Sequence, residues 1–84
     1  MKENTNILIV DDEIQIRRLL EISLSTYEYN TFFAENGKQG LMAAATHHPE
    51  LILLDLGLPD MAGMELLVRL RQRYSKPITL LSVR

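Results

Sequence analysis

Two runs in this chain are apolar without interruption, Ile7-Leu8-Ile9-Val10 and Leu51-Ile52-Leu53-Leu54, and each ends on an aspartate, Asp11 and Asp55. A strand that is apolar at every position has no face to offer water, so it must be covered on both sides. Parallel sheets meet that demand with helices above and below, and runs this short, bounded by polar residues, suit strands better than buried helices. The two runs therefore predict strands inside a parallel sheet, and the remaining chain has to supply the covering layers.

The intervening segments change period. From Ile14, apolar residues recur at helical spacing through Ile16, Leu19, Leu20 and Leu24, with Arg17, Arg18 and Glu21 opposite. Tyr29 to Ala34 mixes aromatics with Thr and suits a strand near a sheet edge, followed by the turn residues Glu35-Asn36-Gly37. Helical spacing resumes from Gly37 to Thr46 and stops at His47-His48-Pro49, because the residue before proline is pushed out of the α region. Leu56 to Gly63 reads as a loop, Met64 to Arg73 as a third amphipathic helix with Leu66, Leu67 and Leu70 inward, and Pro77 to Ser82 as a fourth strand. Short buried strands alternating with helical crossovers predict a doubly wound α/β domain with parallel pairing.

Composition narrows what such a domain can do. Eighty-four residues with 46% hydrophobic content close one core, so residues 1–84 are expected to form a single domain. A net charge of −2 argues against an autonomous nucleic-acid binder, whose affinity rests on neutralising phosphates. Without cysteine there is neither a disulfide framework nor a thiolate metal site, which fits a reducing cytosol. No apolar stretch reaches the length of a membrane span, and no repeat, signal-peptide pattern or linker divides the chain.

In an open α/β sheet, ligands bind beyond the carboxyl ends of the strands, where the strand order reverses. The first strand ends in Asp11-Asp12-Glu13, the third in Asp55 and the fourth in Ser82, so carboxylates and one hydroxyl can share a rim. Crowded carboxylates repel unless a cation intervenes. Hard oxygen ligands on an open rim favour Mg²⁺, which takes one or two carboxylates together with substrate phosphate.

These residues resemble a known family. Ile9-Val10-Asp11-Asp12-Glu13, Ala34-Glu35-Asn36-Gly37, Leu53-Leu54-Asp55 through Gly63, and Lys76-Pro77-Ile78 through Ser82 are similar, in order, to the receiver domain of two-component response regulators. Leu56-Gly57-Leu58-Pro59-Asp60 and Leu70-Arg71-Gln72-Arg73 most resemble the potassium-responsive Kdp subfamily of the winged-helix class. The resemblance implies a flavodoxin-like (CheY-like) three-layer fold, in which Asp55 accepts a phosphoryl group from a sensor histidine kinase as an acyl phosphate. It implies Mg²⁺ ligation by Asp11, Asp12, Asp55 and the backbone carbonyl of Gly57, and a switch hydroxyl at Ser82. It further implies a cytoplasmic signalling protein that controls transcription through a separate DNA-binding domain.

A receiver of this family continues after its fourth strand with a helix, a fifth strand bearing a phosphoryl-pairing lysine, and a last helix. The sequence stops at Arg84, so the expectation is a fold incomplete after strand four, with no residue in the lysine's role; Lys76 precedes strand four on the wrong side. Strand four would then be an open edge, and two chains are expected to associate through Ile78, Leu80 and Leu81 or by exchanging elements.

Other readings compete. Asp11 to Glu13 also suit a helix start, where negative charge meets the positive end of the helix. Ser82 can be a plain strand-end polar residue. Gly37 and Gly63 read as turn glycines, His47 and His48 as exposed residues before a helix stop, and Arg69, Arg71 and Arg73 as a solvated helix face. A haloacid-dehalogenase-type phosphatase fits poorly, because Gly57 stands where a second aspartate would act as acid and base. The stronger rival is a folded interaction or dimerisation module that takes no phosphoryl group.

Overall fold

The computed structural model describes residues 5–81. Its elements follow the order β1 (Asn6–Val10), α1 (Ile14–Ser25), β2 (Asn30–Ala34), α2 (Gly37–His47), β3 (Leu51–Asp55), α3 (Gly63–Arg71) and β4 (Ile78–Leu81). The four strands form one parallel sheet in the order β2-β1-β3-β4. The chain steps one way from β1 to β2, then back past β1 to β3 and on to β4. With right-handed crossovers, that reversal places α1 on one face and α2 and α3 on the other, the doubly wound arrangement.

Register follows from the apolar runs. Leu8, Val10, Ile52 and Leu54 share the α2/α3 face and pack with Ala34, Ala44, Leu66 and Leu70 into one core cluster. Ile7 and Ile9 point to the opposite face and are also buried. Val10 lies level with Ala34 on one side and Leu54 on the other. The central strands are thus apolar throughout because each is covered twice.

The outer elements depart from the simple pattern in instructive ways. On α1, Ile16, Leu20 and Leu24 are half-buried, whereas Ile14, Leu19 and Ile22 face solvent, since the apolar stripe is wider than the half-sheet it covers. No residue of α1 is fully buried. Strand β4 begins at Ile78, one residue after the expected start; Pro77 has no N–H for the ladder, but its carbonyl accepts the Ile52 N–H at 3.1 Å. Ser82, the expected switch hydroxyl, lies outside the described residues.

Two expectations need correction. His47 is not a free surface residue: its ring stacks on Phe32 with centroids 3.8 Å apart, which ties the end of α2 to the edge strand β2. His48 is exposed and takes the left-handed conformation that ends α2 (φ 48°). Nor are Gly37 and Gly63 needed for a turn, since neither has positive φ. Both are sites of close approach: a Cβ on Gly37 would meet the Met61 side chain at 2.5 Å, and one on Gly63 would meet the Leu56 Cα at 2.5 Å.

That difference in neighbour sets the expected cost. Met61 can rotate away, so Gly37→Ala should destabilise by about 1 kcal/mol, whereas backbone cannot, so Gly63→Ala should cost about 3 kcal/mol. Urea denaturation of the two variants checks the order.

Candidate functional site

The strand order reverses between β1 and β3, and the rim at their carboxyl ends gathers the acidic residues. Asp11 follows β1 directly and its N–H donates to the Ala34 carbonyl at 3.0 Å, so the ladder with β2 carries on past the strand. Its side chain turns back on the chain: Oδ1 accepts the Glu13 N–H at 2.8 Å. The capping alternative is therefore partly realised, through a turn made by Asp11, while Glu13 at the start of α1 makes no side-chain cap. Asp12 beside it is exposed.

Asp55 is the last residue of β3 and lies level with Leu81 of β4. It is only 5% exposed, and its Oδ2 is buried with no hydrogen-bond partner among the described residues. Carboxylate oxygens of Asp11, Asp12 and Asp55 all lie within 4.8 Å of one another. Burial raises the Asp11 carboxyl above its ordinary range; the Glu13 N–H opposes that, and the charges of Asp55, Asp12 and Glu13 add to it. A buried, unpartnered carboxylate oxygen costs free energy unless a cation or donor joins it.

Gly57 stands two residues past Asp55, exposed, in the loop from β3 to α3. That loop is fixed at both ends. The Gly63 N–H closes it by donating to the Leu56 carbonyl at 3.0 Å, and Gly63 rests against Leu56. At its middle, the Asp60 carboxylate accepts the N–H groups of Gly37 at 2.7 Å and Lys38 at 3.0 Å, the first two residues of α2. Those hydrogen bonds, Gly37 first, hold the Asp60 carboxyl below its ordinary range. Sequence reasoning missed this contact, because its partners are remote in the chain; Asn36, read from the sequence as a turn residue, caps the helix, its Oδ1 accepting the Gln39 N–H at 2.8 Å.

Other polar groups lie elsewhere. Lys76 sits at the opposite end of the sheet and pairs with Glu50 at 2.8 Å. Arg69 pairs with Glu65, and Arg71 binds the carbonyls of Tyr74 and Lys76. A cleft of about 820 Å³ between the ends of α2 and α3, lined by His48, Arg73 and Tyr74 among others, is also remote from the carboxylates.

A doubly wound parallel sheet whose reversal point carries a buried aspartate flanked by two more sets hard oxygen donors where α/β domains of this class bind their ligands. The response regulator receiver domain profile matches residues 7–84, and the chain belongs to that family. It is 49% identical over 80 residues to the KDP operon transcriptional regulatory protein KdpE of Escherichia coli, and 45% identical to the KdpE of Mycobacterium tuberculosis. Those alignments cover 95% of this chain but only 35–36% of each relative, so the chain spans about a third of their length. Among solved structures, the BeF3-activated N-terminal receiver domain of Klebsiella pneumoniae RstA superposes with a TM-score of 0.87 at 28% identity, over 94% of this chain and 70% of that one.

The raised Asp11 carboxyl has a consequence for stability. A carboxyl that holds its proton more tightly when folded favours the fold at low pH, and that contribution is lost as pH rises from the unfolded value of 3.8 through the folded one. Asp11→Asn keeps the acceptor for Glu13 and removes the charge. In metal-free buffer it should raise the melting temperature at pH 7, and the gain should shrink as pH approaches 4, which a pH series of thermal melts checks.

Proposed function

We propose that this chain is a phosphoacceptor receiver in which Asp55 takes a phosphoryl group from a sensor histidine kinase. The observation that carries this reading is the buried, unpartnered Oδ2 of Asp55 within a cluster of three carboxylates. In the transfer, an Asp55 oxygen bonds to phosphorus as the bond from phosphorus to the donor histidine nitrogen breaks, and the imidazole leaves with the electron pair. The product is an acyl phosphate of roughly two negative charges.

A donor set of hard carboxylate oxygens with one oxygen left unsatisfied fits Mg²⁺. Asp11, Asp12, Asp55 and the Gly57 carbonyl would hold it, and when bound it supplies positive charge that offsets the phosphoryl oxygens. Ser82, next after the residue level with Asp55, is assigned the hydroxyl that responds to the new charge. Residues 1–84 act as one receiver domain of a cytoplasmic regulator, and transcription is controlled through other parts of the parent protein. No helix among the described residues is long and apolar enough to cross a membrane. The domain is a phosphoacceptor and not a turnover enzyme.

A second reading, as an interaction module, draws on β4. Among the described residues β4 pairs with β3 alone, and Leu80 is 39% exposed on that edge. A second copy pairing there, or exchanging elements, covers Ile78, Leu80 and Leu81. Sedimentation should then show a dimer at micromolar concentration that Leu80→Lys splits; a monomer throughout rejects the pairing.

Native mass spectrometry after incubation with acetyl phosphate and Mg²⁺ tests the main reading. One phosphoryl adduct is expected on the wild type and none on Asp55→Asn. No adduct on either protein leaves the interaction module as the better account. Mg²⁺ alone should raise the wild-type melting temperature and leave Asp55→Asn with a much smaller rise.

A further inference from the structure

Asp60 lies outside the carboxylate cluster, yet both of its side-chain oxygens are committed. Oδ1 accepts the Gly37 N–H and Oδ2 the Lys38 N–H. Those two donors have no acceptor within α2, because the first N–H groups of a helix never do. The next donor, the Gln39 N–H, goes to the Asn36 side chain, and the Gly40 N–H goes to the Asn36 carbonyl. Two side chains of different origin thus share one helix start: Asn36 is local, whereas Asp60 arrives from the loop after β3.

We propose that Asp60 is a positioning residue for the acidic rim, anchoring the β3–α3 loop to α2 so that Gly57 is held at a set place beside Asp55. The inference rests on the phosphoacceptor reading above. The stretch from Asp55 to Asp60 is anchored at one end by the β3 ladder and at the other by this carboxylate, and Pro59 within it has a fixed φ. Met61, the next residue, packs where Gly37 lacks a side chain, so a polar and an apolar contact fasten the loop at the same point. Asp60 acts through backbone and not as a ligand, since its oxygens already face α2.

A plain helix cap is the competing role, and Asn36 provides the comparison because its side chain caps α2 without touching the loop. The experiment titrates Mg²⁺ into the 84-residue chain by calorimetry, as wild type, Asp60→Ala, Asp60→Asn and Asn36→Ala, in about 0.5 M KCl so that long-range attraction is screened. Exchange of the Gly37 and Lys38 amide protons is followed by NMR. Asp60→Ala should speed exchange at both amides and weaken Mg²⁺ binding about tenfold, the scale seen when outer supports of a metal site are removed. Asp60→Asn, with one good acceptor left, should fall between, and Asn36→Ala should stay within about twofold of wild type despite losing a cap.

Wild-type affinity in Asp60→Ala, with both amides exchanging fast, overturns the positioning role while leaving the rim reading intact. Equal weakening by Asn36→Ala overturns it too, since capping alone then accounts for the effect. Absence of Mg²⁺ binding by the wild type removes the rim reading and this inference together. Should Asp60→Ala fail to fold, Asp60→Asn, nearly identical in shape, decides by the same comparison.

Discussion

The structure depends on the pairing of β1 with β3 at a register where two apolar strands run out together and two aspartates arrive side by side. Sliding one strand by a residue would turn its side chains to the opposite face. Leu8 and Val10, or Ile52 and Leu54, would then leave the α2/α3 core. Each such side chain contributes about 1.5–3 kcal/mol when fully buried. Two carboxylates about 4 Å apart near a surface repel by roughly 4 kcal/mol. The core cluster as a whole, which Leu66 and Leu70 complete, outweighs the repulsion, and the sheet holds like charges together at a place they would not choose.

That imbalance shapes the surrounding loop. A rim that concentrates negative charge needs rigid walls, and the β3–α3 loop obtains them from small residues as much as from polar ones. Gly63 lets the start of α3 press on Leu56, and Gly37 lets Met61 close over the start of α2. Asn36 and Asp60 between them satisfy the leading N–H groups of α2, so the helix start and the loop form one unit. The same loop carries Gly57 past the end of β3, which links backbone packing to the chemistry of the rim.

Much of this was legible in the linear sequence, for a definite reason. Strands covered on both faces are apolar at every position, so β1 and β3 announced themselves, and the aspartates that end them marked the rim. The edge strand β2 was legible through its mixed aromatic and Thr content. What escaped was whatever depends on partners distant in the chain. His47 looked like a solvated residue because nothing near it reveals the Phe32 ring. Asp60 looked like an ordinary loop residue because Gly37 and Lys38 are reached only after β3 has docked. The outward Leu19 escaped because helical period shows which residues share a face, and not how much of that face the sheet can cover.

The parallel sheet also governs how the rim comes into being. Among the described residues no two neighbouring strands are joined by a tight turn; every pairing closes through a helix, and Asp11 and Asp55 meet only when distant segments have found each other. Such non-local pairing is slow compared with forming helices or hairpins, and it leaves no local fragment able to assemble the rim early. A half-folded chain thus presents Asp11 and Asp12 without Asp55. The cluster of three carboxylates is in this sense a proof of folding, present only in molecules whose sheet has closed through its centre.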